Sequence, residues 1–208
     1  MPLPIVFRTT DPTIKSFNFI DVVTGTGVST VYLSQAEQDS GITRQISSFT
    51  FETSDDTNAS QGAPTGSFTK LGDFDFDAPT NASYQVGGTA IFNFTMYVIG
   101  GGADTTDAYM IIKLRKDNGT TETDIASVQT KERSATSTTT YFRETVAMTV
   151  PRTGVSVGDT FRVTVEIWAK DDGSSGSNGA GFYADPLNAT QYGGFSSQFV
   201  AYLPVVVE

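Results

Sequence analysis

Thr89-Ala90-Ile91-Phe92-Asn93-Phe94-Thr95-Met96-Tyr97-Val98 is the stretch that decides the fold of this chain. Side chains alternate across a β-strand, so Ala90, Phe92, Phe94, Met96 and Val98 share one face, while Ile91, Asn93, Thr95 and Tyr97 share the other. A helix would scatter the same residues around its axis. The pattern predicts a strand with an apolar core face and a mixed second face. Thr160 to Lys170 repeats it. Phe161, Val163, Val165 and Ile167 alternate there with Arg162, Thr164, Glu166 and Trp168, which predicts a half-buried strand with Trp168 on the outer phase.

Working outward, Ala108 to Lys131 reads as a hairpin. Asp117-Asn118-Gly119 separates two alternating runs, Asn-Gly supplies the positive φ angles of a tight turn, and Met110, Ile112 and Leu114 face the core. Further strands are expected at Lys15 to Val22, Ser29 to Ser34, Arg44 to Glu52, Ser67 to Phe76, Thr139 to Val150, Gly179 to Asp185 and Ser196 to Val207, about eleven in all. The one helical expectation is a short turn over Ser34 to Asp39. Thr53 to Gly66 and Asp171 to Gly179 read as polar and Gly/Ser-rich loops. These elements predict an all-β fold, an antiparallel two-sheet β-sandwich, with a jelly roll as the specific topology. An immunoglobulin-like sandwich would lack its Cys-Trp-Cys signature here, and an up-and-down barrel stays open as a third topology. Residues 1–14, with Pro2, Pro4 and Pro12, are expected to form an extended N-terminal arm, and residues 15–208 a single sandwich domain. Two placements of the arm stay open, along its own sandwich or on a neighbour.

Composition narrows the chemistry. The 208 residues contain no Cys and no His, which removes thiolate and imidazole catalysis, thiolate or imidazole zinc sites and disulfides together. The net charge of -10 and the sequence pI near 4.3 oppose binding to nucleic acid and to anionic membrane surfaces. No apolar run approaches the ~20 residues of a membrane span, and the start, Met1 to Arg8, lacks the basic region and cleavage site of a signal peptide. The expectation is a soluble protein made in a cytoplasm, without nucleic-acid or membrane partners.

Several constellations invite a chemical reading. Asp73, Asp75 and Asp77 alternate with Phe74 and Phe76, so their carboxylates line one strand face, where hard-cation ligands or a glycosidase pair would stand. The plainer reading is a solvated strand face opposite buried phenylalanines. Asp171-Asp172-Gly173, and Asp104 with Asp107, read as turn chemistry. Gly100-Gly101-Gly102 lacks the Lys and the following helix of a phosphate loop. Two carboxylates flanking a sugar bond would suffice for hydrolysis, but nothing in the sequence sets such a pair in a cleft. The expectation is therefore no catalytic residue, no metal site and no cofactor. Among aromatics, Trp168, Tyr183 and Tyr192 are the candidate platforms for stacking on a glycan, and Trp168 with Pro2, Leu3, Pro4, Ile5, Val6 and Phe7 the candidate protein-contact residues.

Thr149 to Thr153, Val157 to Glu166 and Gly181 to Pro186 together resemble virion structural proteins, of the decoration, cement or fibre kind, from tailed viruses of bacteria and archaea. The same block is similar to the galactose-binding-like jelly roll appended to X-prolyl dipeptidyl peptidases. The resemblance covers residues 85 to 207. It implies a non-enzymatic jelly roll on a virus particle, assembled in the host cytoplasm and bound to major capsid protein, to other virion proteins and to its own copies, with a trimer as the expected oligomer. It supplies no active site to carry over. The alternative function is a carbohydrate-binding module or the receptor-binding part of a fibre.

Overall fold

The computed structural model describes residues 15–16, 26–38, 41–50, 57–80, 83–100, 102, 104–173, 178–189 and 193–206. Among them every regular element is a strand: β1 (Lys15–Ser16), β2 (Thr26–Gln38), β3 (Gly41–Ser47), β4 (Thr57–Gln61), β5 (Thr69–Pro79), β6 (Tyr84–Ile99), β7 (Thr105–Asp117), β8 (Glu122–Gln129), β9 (Arg133–Thr136), β10 (Thr139–Val155), β11 (Thr160–Asp171), β12 (Gly179–Tyr183) and β13 (Phe199–Val206). The expected arm at residues 1–14 lies outside the described residues.

Two layers follow from the pairing. In the first, β10 flanks one edge of β6, while β12 and β13 share its other edge; β4 lies beyond β12, and β2 then β3 lie beyond β13. In the second, the order is β5-β11-β7-β8, with β9 also on β7. A single parallel pair, Gln45 with Asp77, joins β3 to β5, and all other strand pairs are antiparallel. The double Greek key of a jelly roll is not established by this order. The alternating faces do meet as expected: Phe92, Phe94, Met96 and Val98 face Phe74, Phe76, Met110, Ile112, Leu114, Val163, Val165 and Ile167 in one buried core. Phe182 is its hinge point, with ring contacts to Phe74 at 5.5 Å, Phe76 at 6.1 Å and Phe199 at 5.7 Å.

Three local expectations are corrected. The turn of helix over Ser34 to Asp39 is instead the end of β2, where Ser34 to Gln38 pair with β3 and Leu33, Ser34 and Gln35 are buried. Pairing satisfies backbone groups that an isolated helical turn would leave open. The polar segment Thr53 to Gly66 contains β4, an edge strand on β12. The turn at Asn118 spans four residues, because Asp117 pairs with Glu122. Gly119 alone carries a positive φ there, 83°. The Asp117 side chain accepts the Gly119 N–H at 2.8 Å, and the Asn118 side chain accepts those of Thr120 and Thr121, the local bonding that makes Asp and Asn turn residues.

Pro151 and Pro204 cannot donate to a ladder, and the pairing slips beside both. Gly87 and Gly88 lie between these slips. A β-carbon on Gly87 would stand 2.9 Å from the Arg152 Cα, and Gly88 has φ 130°. Glycine here lets three backbones close on one another.

Candidate binding surfaces

The outer face of β5-β11-β7 is lined by alternating charges, and nearly every one has a partner. Arg162 on the middle strand donates through Nε to Asp77 at 2.6 Å and through Nη1 to Glu122 at 2.9 Å. Hydrogen bonds donated to the Asp77 carboxylate hold its guanidinium protonated, its pKa raised above the ordinary value. Arg115 pairs with Glu122 at 2.6 Å and Asp124 at 2.7 Å, and Lys170 with Asp107 at 3.2 Å. Glu166 is 6% exposed. Burial pushes its carboxyl up, but Lys113 at 2.8 Å, the Trp168 indole at 2.9 Å and the charge of Lys70 outweigh that and leave it lowered. Lys70 likewise holds Asp73 low through a hydrogen bond of 2.9 Å. The Asp73, Asp75 and Asp77 series is thus an ion-paired face; Thr164 donates to Asp75 at 2.6 Å.

At one corner of this face stands an aromatic group that the sequence only half revealed. Trp168 is half-buried and lies parallel to Tyr109, centroids 6.1 Å apart at 9°, and Phe68 leans on Tyr109 at 4.8 Å. Lys170 Nζ sits 4.7 Å from the Phe68 ring centre. Trp168 is on the outer phase as expected, but its N–H is fixed by Glu166. The sequence does not reveal Tyr109, whose approach depends on the register of β7 on β11, where it opposes Trp168, or Phe68, which the chain before β5 brings in. Tyr183 does not belong to this platform or any exposed one. It is 4% exposed and packs against Tyr97 at 5.1 Å and Tyr141 at 6.3 Å. Its strand, β12, is buried on both faces, which a search for exposed loop aromatics does not anticipate. Tyr192 and the segment Pro2 to Phe7 lie outside the described residues.

Two openings among the described residues bear on binding. One, of about 460 Å³, runs between β8 and β10, where Lys131, Arg133 and Arg143 gather around Glu144. Arg133 Nε donates to Glu144 at 2.6 Å. The other, about 260 Å³, opens between the layers at their joined edge, and its lining is apolar: Val31, Ile46, Tyr84, Phe161, Leu203 and Val205, with Ser29 at the rim. Tyr84 closes one side against Phe161, centroids 6.3 Å apart, and burial pushes its hydroxyl pKa up. β1 lies beside this rim, with Lys15 paired to Ser29.

The fold defined by these layers is an all-β sandwich. No protein-family model matches the chain, and no curated protein matches it. Among solved structures, an α-amino acid ester hydrolase matches with a TM-score of 0.52 at 10% identity, over 85% of this chain and 36% of that one. A CocE/NonD family hydrolase from Staphylococcus aureus matches with a TM-score of 0.43 at 9% identity, over 85% of this chain and 41% of that one. A structure of infectious bursal disease virus, Gx strain, matches with a TM-score of 0.34 at 13% identity, over 86% and 47%. The chain therefore spans less than half of each of these neighbours. At such identities the likeness is one of fold, and the second and third scores are too low to build on.

These matches correct the expectation that the chain is not an enzyme. The α-amino acid ester hydrolase that matches with a TM-score above 0.5 has a sandwich of this kind within an enzyme chain, so the presence of the fold excludes no catalysis. The lack of His and Cys removes particular mechanisms, not enzymes as a class. Of the virus resemblance, what stands is a β-rich fold; the viral matches score too low to carry more.

Proposed function

We propose that the chain is a structural component of a virus particle, a decoration or cement protein that joins neighbouring subunits by burying surface between them. The observation that carries this reading is the apolar opening between the layers, with Phe161, Leu203 and Val31 at its floor. An apolar cleft is a seat for an apolar partner. Its occupant in this reading is the arm of a second copy, residues Leu3, Ile5, Val6 and Phe7. The support is positional and chemical. The chain reaches the described fold at Lys15, beside Ser29 on the rim, and the arm supplies an apolar run with prolines that suit an extended docked segment. The resemblance of residues 85 to 207 to virion proteins agrees with it. An interface of ~1,600 Å² in total is enough for tight attachment when its central apolar groups are well packed.

Purified particles test the proposal. The full chain should be present in them, and a chain lacking Met1 to Thr13 should keep its β-sheet far-UV spectrum while its occupancy falls at least about tenfold, the loss of a few buried apolar side chains. Absence of the full chain from particles, or unchanged occupancy of the shortened one, overturns it.

A second reading has its own observation. Phe68, Tyr109 and Trp168 have the composition of a glycan-stacking site, rings for the apolar sugar face. A glycan array comparing the native chain with Trp168→Ala decides it. A signal lost in the variant supports this reading, and flat binding for both removes it.

A further inference from the structure

The two layers are joined by the β3–β5 pair and stand apart on the opposite side, at the opening between β8 and β10. Both lips of that opening are sheet edges. Among the described residues, β8 pairs only with β7 and β10 only with β6, so every second residue of each turns its backbone N–H and C=O away from its partner. The longer lip is β10, and Arg143 to Ala147 line the opening without a break. From Thr145 to Thr149 this strand has no charge and no proline, two of the devices that keep an exposed edge from pairing. It is a template for a further strand. The charges around it are selective. Lys131, Arg133 and Arg143 line the opening with a single acid, Glu144, in a chain whose net charge is -10. Glu144 is buried and accepts Arg133 Nε at 2.6 Å, and the same guanidinium lies over the Phe142 ring at 5.2 Å. Lys131 and Arg143 are exposed and form no ion pair with a described residue.

We propose that the free edge of β10 receives an extended acidic segment of another protein as an added strand. Side chains directly across two paired strands stand about 5 Å apart, so an acid on the outer phase of the segment meets Arg143. Its apolar residues, on the inner phase, cover Val128 and Val146 at the opening. Main-chain bonds then supply the affinity and the alternating side chains the selectivity. At physiological salt the remaining negative charge of the chain is screened beyond about 8 Å, so the cations at the edge decide. A second copy of β10 does not fit this edge, because the exposed charges of that strand are Arg143 and Arg152 and like would face like. In a joint between subunits this is a second contact, on the side away from the opening lined by Phe161 and Leu203, and it does not depend on that one.

The probe is a fluorescent peptide of about ten residues alternating glutamate and valine, titrated with the full chain and read by anisotropy. It should bind with a dissociation constant below about 100 μM. Two versions methylated on alternate backbone nitrogens separate strand addition from simple charge attraction. One should lose binding and the other keep it, because an added strand presents one edge to β10. The chain carrying Lys131→Glu and Arg143→Glu together should bind the peptide at least about tenfold more weakly and should gain binding to the same peptide with lysine in place of glutamate. Both positions are exposed, and that gain reports at once that the variant is folded. No binding by the native chain, equal binding of polyglutamate of the same length, the same result for both methylated peptides, or a double variant indifferent to the charge of the peptide overturns the proposal.

Discussion

Phe182 and Glu166 show what single residues do on the two sides of the sheet. Phe182 is fully buried and touches aromatic rings from β5 and β13, so Phe182→Ala removes a large side chain from a site that three rigid rings keep from collapsing. Its cost should be about 3–5 kcal/mol of unfolding free energy, measured by urea titration. Glu166 acts through charge. Its carboxyl pKa lies below the ordinary 4.5, so the folded state binds its proton less readily than the unfolded chain does. The resulting stability is complete above pH 4.5 and is lost as pH falls through the lowered folded value. Urea midpoints of the native chain should therefore drop below pH 4.5, and the gap to Glu166→Gln should narrow between pH 7 and pH 3. A gap of constant size across that range would show that the Lys113 and Trp168 contacts do not act through the ionised form.

At the scale of the element, glycine marks where strands crowd. Gly87→Ala should destabilise by about 1–3 kcal/mol, because the new methyl meets the backbone of Arg152. Gly154→Ala, with nothing within 4 Å of the added carbon, should change stability by less than about 0.5 kcal/mol. Equal effects at the two positions, in the same denaturant experiment, would contradict the close approach at the slips beside Pro151 and Pro204. Strands were legible in the sequence where one face is core, as at Ala90 to Val98 and Phe161 to Ile167, because burial on one side writes a period of two. β4, Thr57–Gln61, was not, since an edge strand of polar residues has no apolar phase and owes its shape to β12. Tyr183 was misjudged for the opposite reason: with both faces of β12 covered, no alternation distinguishes a buried Tyr from an exposed one. The Trp168 corner was legible in one residue of three. Trp168 lies on the outer phase of a clear strand, whereas Tyr109 joins it through the register of β7 on β11, and Phe68 only by the fold of the chain before β5.

For the molecule as a whole, the charged face of β5-β11-β7 and the apolar opening divide the work of solvation and contact. Part-buried ion pairs such as those of Arg162 with Asp77 and Glu122 keep the outer face closed on itself electrostatically. The opening has an apolar lining, and the reading of the protein as a joint between subunits rests on a neighbour's arm filling it. The chain has no cysteine, so two single-cysteine variants, Val6→Cys and Ser29→Cys, can be mixed under mild oxidation without competing thiols. The account predicts a covalent dimer joining one variant to the other, in yield well above the self-linked products of either alone. Monomers alone, or linkage confined within one chain when both cysteines are placed on it, would contradict it.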